Sequence, residues 1–148
     1  MARIPAVGEY MTPAPHWIGA GQACSEAQSM MREHRIRHLP VLRQARLVGV
    51  VSERDLALVQ SLPGMRPEAL PVEEAMTDPA YTVAADTPLP EVARVMATRK
   101  FGSAVVMDGD EVVGVFTTTD ALRALADLLE GAEQGSLRQR ITARARAR

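Results

Sequence analysis

The chain has 148 residues, 47% hydrophobic and only 3% aromatic, so its core must be aliphatic and is large enough for one domain or two tightly joined halves. A formal net charge of −1 excludes a global electrostatic pull toward nucleic acid or an anionic membrane. The single cysteine, Cys24, excludes an intrachain disulfide, and no apolar run approaches the roughly 18 residues of a membrane span, so a soluble, cytoplasmic protein is the expectation.

In chain order, Met11-Thr12 recurs as Met76-Thr77, and the offset of 65 residues then holds without a gap. Val7 meets Val72, Glu9 meets Glu74, Glu26 meets Glu91, Met31 meets Met96 and Val41 meets Val106. Val48-Gly49-Val50 meets Val113-Gly114-Val115, and Asp55 meets Asp120. Each half reads alike. A short strand, His16 to Ile18 or Tyr81 to Val83, precedes a helix, roughly Ser25 to His34 or Pro90 to Arg99, whose apolar residues recur at helical spacing. Two apolar strands and a tight turn follow: His38 to Leu42 with Leu47 to Val51, then Ser103 to Met107 with Glu111 to Phe116. A last helix begins at Ser52 or Thr117. The fold expected is α/β, two pseudo-twofold-related β-α-β-β-α units packed sheet to sheet, because one half alone has too small a core. The boundaries are 1–62 for the first repeat, 63–71 for a linker rich in turn formers, 72–129 for the second repeat, and 130–148 for a basic tail, helical or disordered.

Chemistry concentrates in Gly49-Val50-Val51-Ser52-Glu53-Arg54-Asp55 and its counterpart Gly114-Val115-Phe116-Thr117-Thr118-Thr119-Asp120. A hydroxyl followed three residues later by an acid is a helix-capping pattern. The same geometry suits a nucleotide: free N–H groups at a helix start attract phosphate, a carboxylate one turn on accepts bonds from a ribose diol, and the glycines permit close backbone approach.

The two Gly-x-x-Ser/Thr-x-x-Asp segments, the repeated Met-Thr and the segment Ile36-Arg37-His38-Leu39-Pro40-Val41 together resemble the tandem cystathionine-β-synthase (CBS) domain pair over about Val7 to Leu125. The resemblance implies a regulatory module, not an enzyme. It binds AMP, ADP or ATP, with S-adenosylmethionine or NAD as further adenosine-containing ligands, and requires no cofactor. It further implies that each cleft combines both halves. One, expected to be the primary cleft, would use Ile18, Ile36, Arg37 and His38 with Thr117 and Asp120; the second would use Ser52 and Asp55 with Val83, Phe101, Gly102 and Ser103. Arg35, Arg37 and His38 make the first the more cationic. Val105 stands where the second half would carry the family's proline, and His38 replaces a hydrophobic residue. A homodimer through helices near Leu56 to Leu62 and Leu122 to Leu129, and an unidentified regulated protein, are the implied partners.

Other features read as structural. Gly19-Ala20-Gly21-Gln22-Ala23-Cys24 lacks the third glycine of a dinucleotide fingerprint and reads as a turn. His16, His34, His38 and Cys24 lack metal-ligand spacing, Cys24 matches Leu89 and reads as packing, and Trp17 reads as a packed strand residue. Five arginines from Arg138 to Arg148 have no acid among them and leave a body in which acids outnumber bases by six. Such a tail reads first as a solvated terminus, and nucleic acid is not the partner expected. Two alternatives therefore stand beside the sensor: a ligand-free adaptor whose aspartates only cap helices, and a nucleic-acid binder acting through the tail.

Overall fold

A computed structural model describes the backbone of residues 3–146 and the side chains of residues 3–132. The first half contributes β1 (Thr12–Pro13), β2 (Ile18–Gly19), α1 (Cys24–His34), β3 (His38–Arg43), β4 (Arg46–Ser52) and α2 (Glu53–Gln60). The second contributes β5 (Thr82–Ala84), α3 (Leu89–Arg99), β6 (Ser103–Asp108), β7 (Glu111–Thr117) and α4 (Thr118–Arg146). One sheet runs β2-β3-β4 and the other β1-β7-β6-β5. Strand β2 is parallel to β3 and β5 to β6, whereas β3–β4 and β6–β7 are antiparallel hairpins and β1 joins β7 antiparallel. Even the bulges repeat, between Val41 and Leu42 and between Val106 and Met107.

Pleating alternates side chains between two faces of each sheet. Leu39, Val41 and Val51 face Ala27 and Met31 of α1 and Leu56 of α2 in one aliphatic core. Ala104, Val106 and Phe116 do the same with Val92, Met96 and Ala124 in the other. Pro40 and Val105 occupy equivalent positions on the opposite faces and are also buried, so those faces are covered, sheet against sheet.

Each repeat sends its leading segment to the other half. Val7 lies in the core of the second half and Val72 in that of the first, both fully buried. The Val7 N–H donates to the Thr87 carbonyl and the Val72 N–H to the Gln22 carbonyl, each at 2.8 Å. Strand β1 then pairs with β7, matching Thr12 to Val115, and Thr77 bridges Val50 in the same way. The exchange also caps helices that lack a capping side chain: Cys24 and Ser25 donate to the linker carbonyls of Leu70 and Pro67, and Leu89 donates to Pro5. Units read as sequential in the sequence are thus interleaved in space.

The first strands start later than the spacing suggests. Val105 donates its N–H to the Tyr81 carbonyl at 2.8 Å, tying the second half's segment to β6. Pro40, its counterpart, has no N–H to donate to His16. The chain therefore joins the sheet at Ile18, and β2 has two residues where β5 has three. Trp17 does not pack: it is 54% exposed. Helix α4 continues to Arg146, while the side chains of the arginine run lie outside the described residues. No helix among the described residues is long and apolar enough to cross a membrane.

Candidate functional site between the two halves

Ser52 ends β4 and caps α2. The Asp55 N–H donates to Ser52 Oγ at 3.0 Å, and the Ser52 N–H donates to Asp55 Oδ2 at 2.9 Å. At α4, Thr117 N–H donates to Asp120 Oδ2 at 2.9 Å and Asp120 N–H reaches Thr117 Oγ1 at 3.4 Å. Both aspartates therefore act as caps. The first N–H of each helix is also taken, since Glu53 donates to the Arg37 carbonyl and Thr118 to that of Gly102.

The repeated threonines reach the same aspartates from the opposite half. Thr12 Oγ1 lies 3.1 Å and 3.3 Å from the Asp120 carboxylate oxygens, and Thr77 Oγ1 lies 3.4 Å and 3.3 Å from those of Asp55. Gly49 and Gly114 make room for this crossing. A Cβ at Gly49 would lie 2.6 Å from Met76 Sδ and 2.8 Å from the Thr77 carbonyl oxygen, and one at Gly114 would strike Met11. The close approach these glycines permit is thus that of the exchanged segment, correcting the expectation of a ligand there.

Two cavities flank this crossing. One, of about 740 Å³, brings together Ser52, Asp55, Phe101, Gly102 and Ser103 as expected in a single cleft. Val83 is not in it: that side chain packs against the second core, and Tyr81, two residues earlier, lines the cavity instead. The Tyr81 and Phe101 ring centroids are 5.5 Å apart. The other cavity, of about 420 Å³, gathers Ile36, Arg37, His38, Thr117 and Asp120. Ile18 is fully buried in the first core, and His16, the counterpart of Tyr81, takes its place at the cavity. Both corrections share one cause: the residue that pairs in the sheet turns into the core, and the residue before pairing stays at the cleft. Thr12, Thr77, His16 and Tyr81 were missed for their roles; the recurring Met-Thr was the signal for the first two.

The two carboxylates differ in access. Asp120 is 4% exposed, covered by Thr12 and approached at 3.5 Å by Arg123 Nη1. Asp55 is half-buried, and among the described residues its Oδ1 has only the long contact from Thr77. Arg37 and His38 line both cavities, and Arg54 and Lys100 add further positive charge to the larger one. Burial holds the His38 imidazole below the usual histidine range, with Asp55 opposing and Arg37 reinforcing that shift. Cys24 is buried in the first core, and burial pushes its thiol upward. His16 and His34 stack with centroids 3.7 Å apart, and no group of three metal-ligating side chains occurs among the described residues.

The comparisons agree with this geometry. A CBS domain matches residues 7–61 and again 72–127. The chain is 27% identical over 117 residues to the CBS domain-containing protein YhcV of Bacillus subtilis, covering 79% of this chain and 83% of that protein. It superposes on CBSX2 in complex with AMP with a TM-score of 0.74 at 26% identity, covering 84% of this chain and 98% of that one. It superposes on the CBS domain pair of protein MJ0100, in complex with 5′-methylthioadenosine and S-adenosyl-L-methionine, with a TM-score of 0.77, 26% identity and the same two coverages. With both halves matched and their clefts formed reciprocally, the chain belongs to the CBS domain family as a tandem pair.

Proposed function

We propose that this protein is a regulatory module that binds an adenine nucleotide between its halves, passes ligand state to a partner through altered packing, and catalyses no reaction. The observation that carries this reading is the 740 Å³ cavity, which falls in the size range of small-molecule sites and joins an accessible capping carboxylate to an aromatic wall and cations. Asp55 would accept bonds from the ribose, Tyr81 and Phe101 would flank the adenine, and Arg37, Arg54 and Lys100 would meet phosphates. The solved relatives with AMP and with S-adenosylmethionine support the adenosine class for this chain.

The Asp55 cavity is proposed as the principal site, reversing the order expected from charge alone. Arg37 and His38 serve both clefts, so they cannot favour the Asp120 side. Asp120 is also buried and has Arg123 beside it in addition to the cap and threonine contacts that both aspartates make, which favours a mainly structural role there. Titration calorimetry with AMP, ADP, ATP, S-adenosylmethionine and NAD tests the reading. Asp55→Ala is expected to weaken nucleotide binding by about 10- to 150-fold, the equivalent of roughly 1.5–3 kcal/mol. Absence of heat with every ligand would leave the ligand-free adaptor as the better account.

A further inference from the structure

The two cavities have two lining residues in common, Arg37 and His38. A perfect twofold would share their repeat counterparts as well, yet Gly102 and Ser103 line the Asp55 cavity alone. The departure has a steric cause. A Cβ at Gly102 would lie 2.7 Å from His38 Nε2 and 3.2 Å from Cε1, so the imidazole stands against backbone that carries no side chain. The ring forms a partition between the clefts. Room it yields to one cavity is taken from the other.

Arg37 is the second shared group. Its side chain is largely exposed, and its only ion pair among the described residues is a 3.9 Å contact with Glu53, a rim residue of the Asp55 cavity. One guanidinium offers a planar fork of donors and cannot make bidentate bonds to phosphates in both clefts at once. The cations that remain belong to one side or the other: Arg54 and Lys100 to the Asp55 cavity, Arg35 and Arg123 to the Asp120 cavity.

We propose that the two clefts bind phosphorylated nucleotides anticooperatively, because they share one cation, Arg37, and one partition, His38. This rests on the nucleotide reading above and adds a rule for occupancy: a nucleotide held by Arg37 at Asp55 weakens the site at Asp120. Coupling of this kind is reciprocal, so a nucleotide at Asp120 must weaken the Asp55 site by the same factor.

The full chain is titrated with ATP and, separately, with adenosine. Calorimetry gives the two affinities, and fluorescence of Trp17, the sole tryptophan and the neighbour of His16, follows the Asp120 cleft. With ATP, the Asp120 cleft of Asp55→Ala is expected to bind at least about fivefold more tightly than the second phase of the unmodified protein. That gain should vanish in an Arg37→Ala background and be smaller with adenosine, which has no phosphate to compete for the guanidinium. Gly102→Ala, which presses the ring toward the Asp120 cavity, should weaken the second phase further. Melting curves identify any variant that fails to fold, and the comparison of ATP with adenosine in the unmodified protein needs no variant. An Asp120 cleft whose ATP affinity is unchanged by Asp55→Ala overturns the anticooperativity while leaving nucleotide binding intact. Absence of binding by either compound overturns the nucleotide reading itself, and this proposal with it.

Discussion

Asp55 and Asp120 hold the same place in the same motif, but their surroundings separate what each substitution would do. Asp120 is buried beneath Thr12 and Arg123, and its removal leaves two hydroxyls, those of Thr12 and Thr117, and a backbone N–H without this acceptor. Asp120→Ala is therefore expected to lower stability by about 1–3 kcal/mol, visible as a fall in Tm, with a smaller effect on ligand affinity. Asp55→Ala should show the opposite balance, a modest loss of stability and the larger loss of binding. Equal effects on both measurements would remove the distinction. His38 supplies a pH dependence whose sign follows from burial. Its folded-state pKa lies below its unfolded value near 6.5, so the unfolded chain takes up the proton first. Its contribution to stability is present above about pH 6.5 and is lost as pH falls through the folded value. His38→Gln should flatten that part of the stability–pH curve in urea titrations between pH 7 and 5.

At the scale of elements, the exchanged segments decide more than any single strand. The crossing of Met76-Thr77 over Gly49 requires a position without a side chain, since the Thr77 carbonyl is backbone and cannot swing away. Gly49→Ala is expected to cost about 1–3 kcal/mol by overpacking. Truncating Met76 in the same chain should recover only part of it, because the backbone contact remains. A Gly49→Ala protein that melts with the unmodified one would show that the crossing is loose. The Pro40–Val105 pair makes the complementary point: a single missing N–H shortens one leading strand and denies His16 the backbone bond that Tyr81 makes, so equivalent strand orders give unequal clefts.

At the scale of the molecule, Val7 and Val72 each complete the other half's core, so neither half holds a full set of apolar contacts. Fragments 1–65 and 66–148 should each lack cooperative unfolding when expressed alone and regain it when mixed, monitored by circular dichroism. A fragment that folds alone with a sharp transition would contradict this. The outer helices present Leu58, Leu122, Leu125 and Leu129 at exposures between 54% and 62%. Self-association through this surface is the proposed dimer, and Leu122→Glu together with Leu125→Glu should shift the mass measured by light scattering from two copies toward one.

The ungapped repeat by itself determined the element order, the two sheets, the two aliphatic cores and the pairing of hydroxyl with aspartate at each helix start. These are local or periodic properties, and a period of two or of 3.6 residues is written directly into side-chain order. The sequence points to Ile18 and Val83 at the clefts, two residues beyond His16 and Tyr81, because alternation marks a strand's faces but not the point at which it begins to pair. The work of Gly49 and Gly114 was legible only as a need for closeness; what comes close is a segment about 27 or 102 positions away, and contacts across such separations leave no periodic trace. Only the tertiary structure decided that the leading segments exchange, that Arg37 and His38 belong to both clefts, and that Asp120 is sealed where Asp55 is open. Each depends on which surfaces meet when two nearly equivalent halves pack, and small side-chain differences at that meeting, Pro40 against Val105 and His38 against Gly102, break the symmetry that the repeat alone would impose.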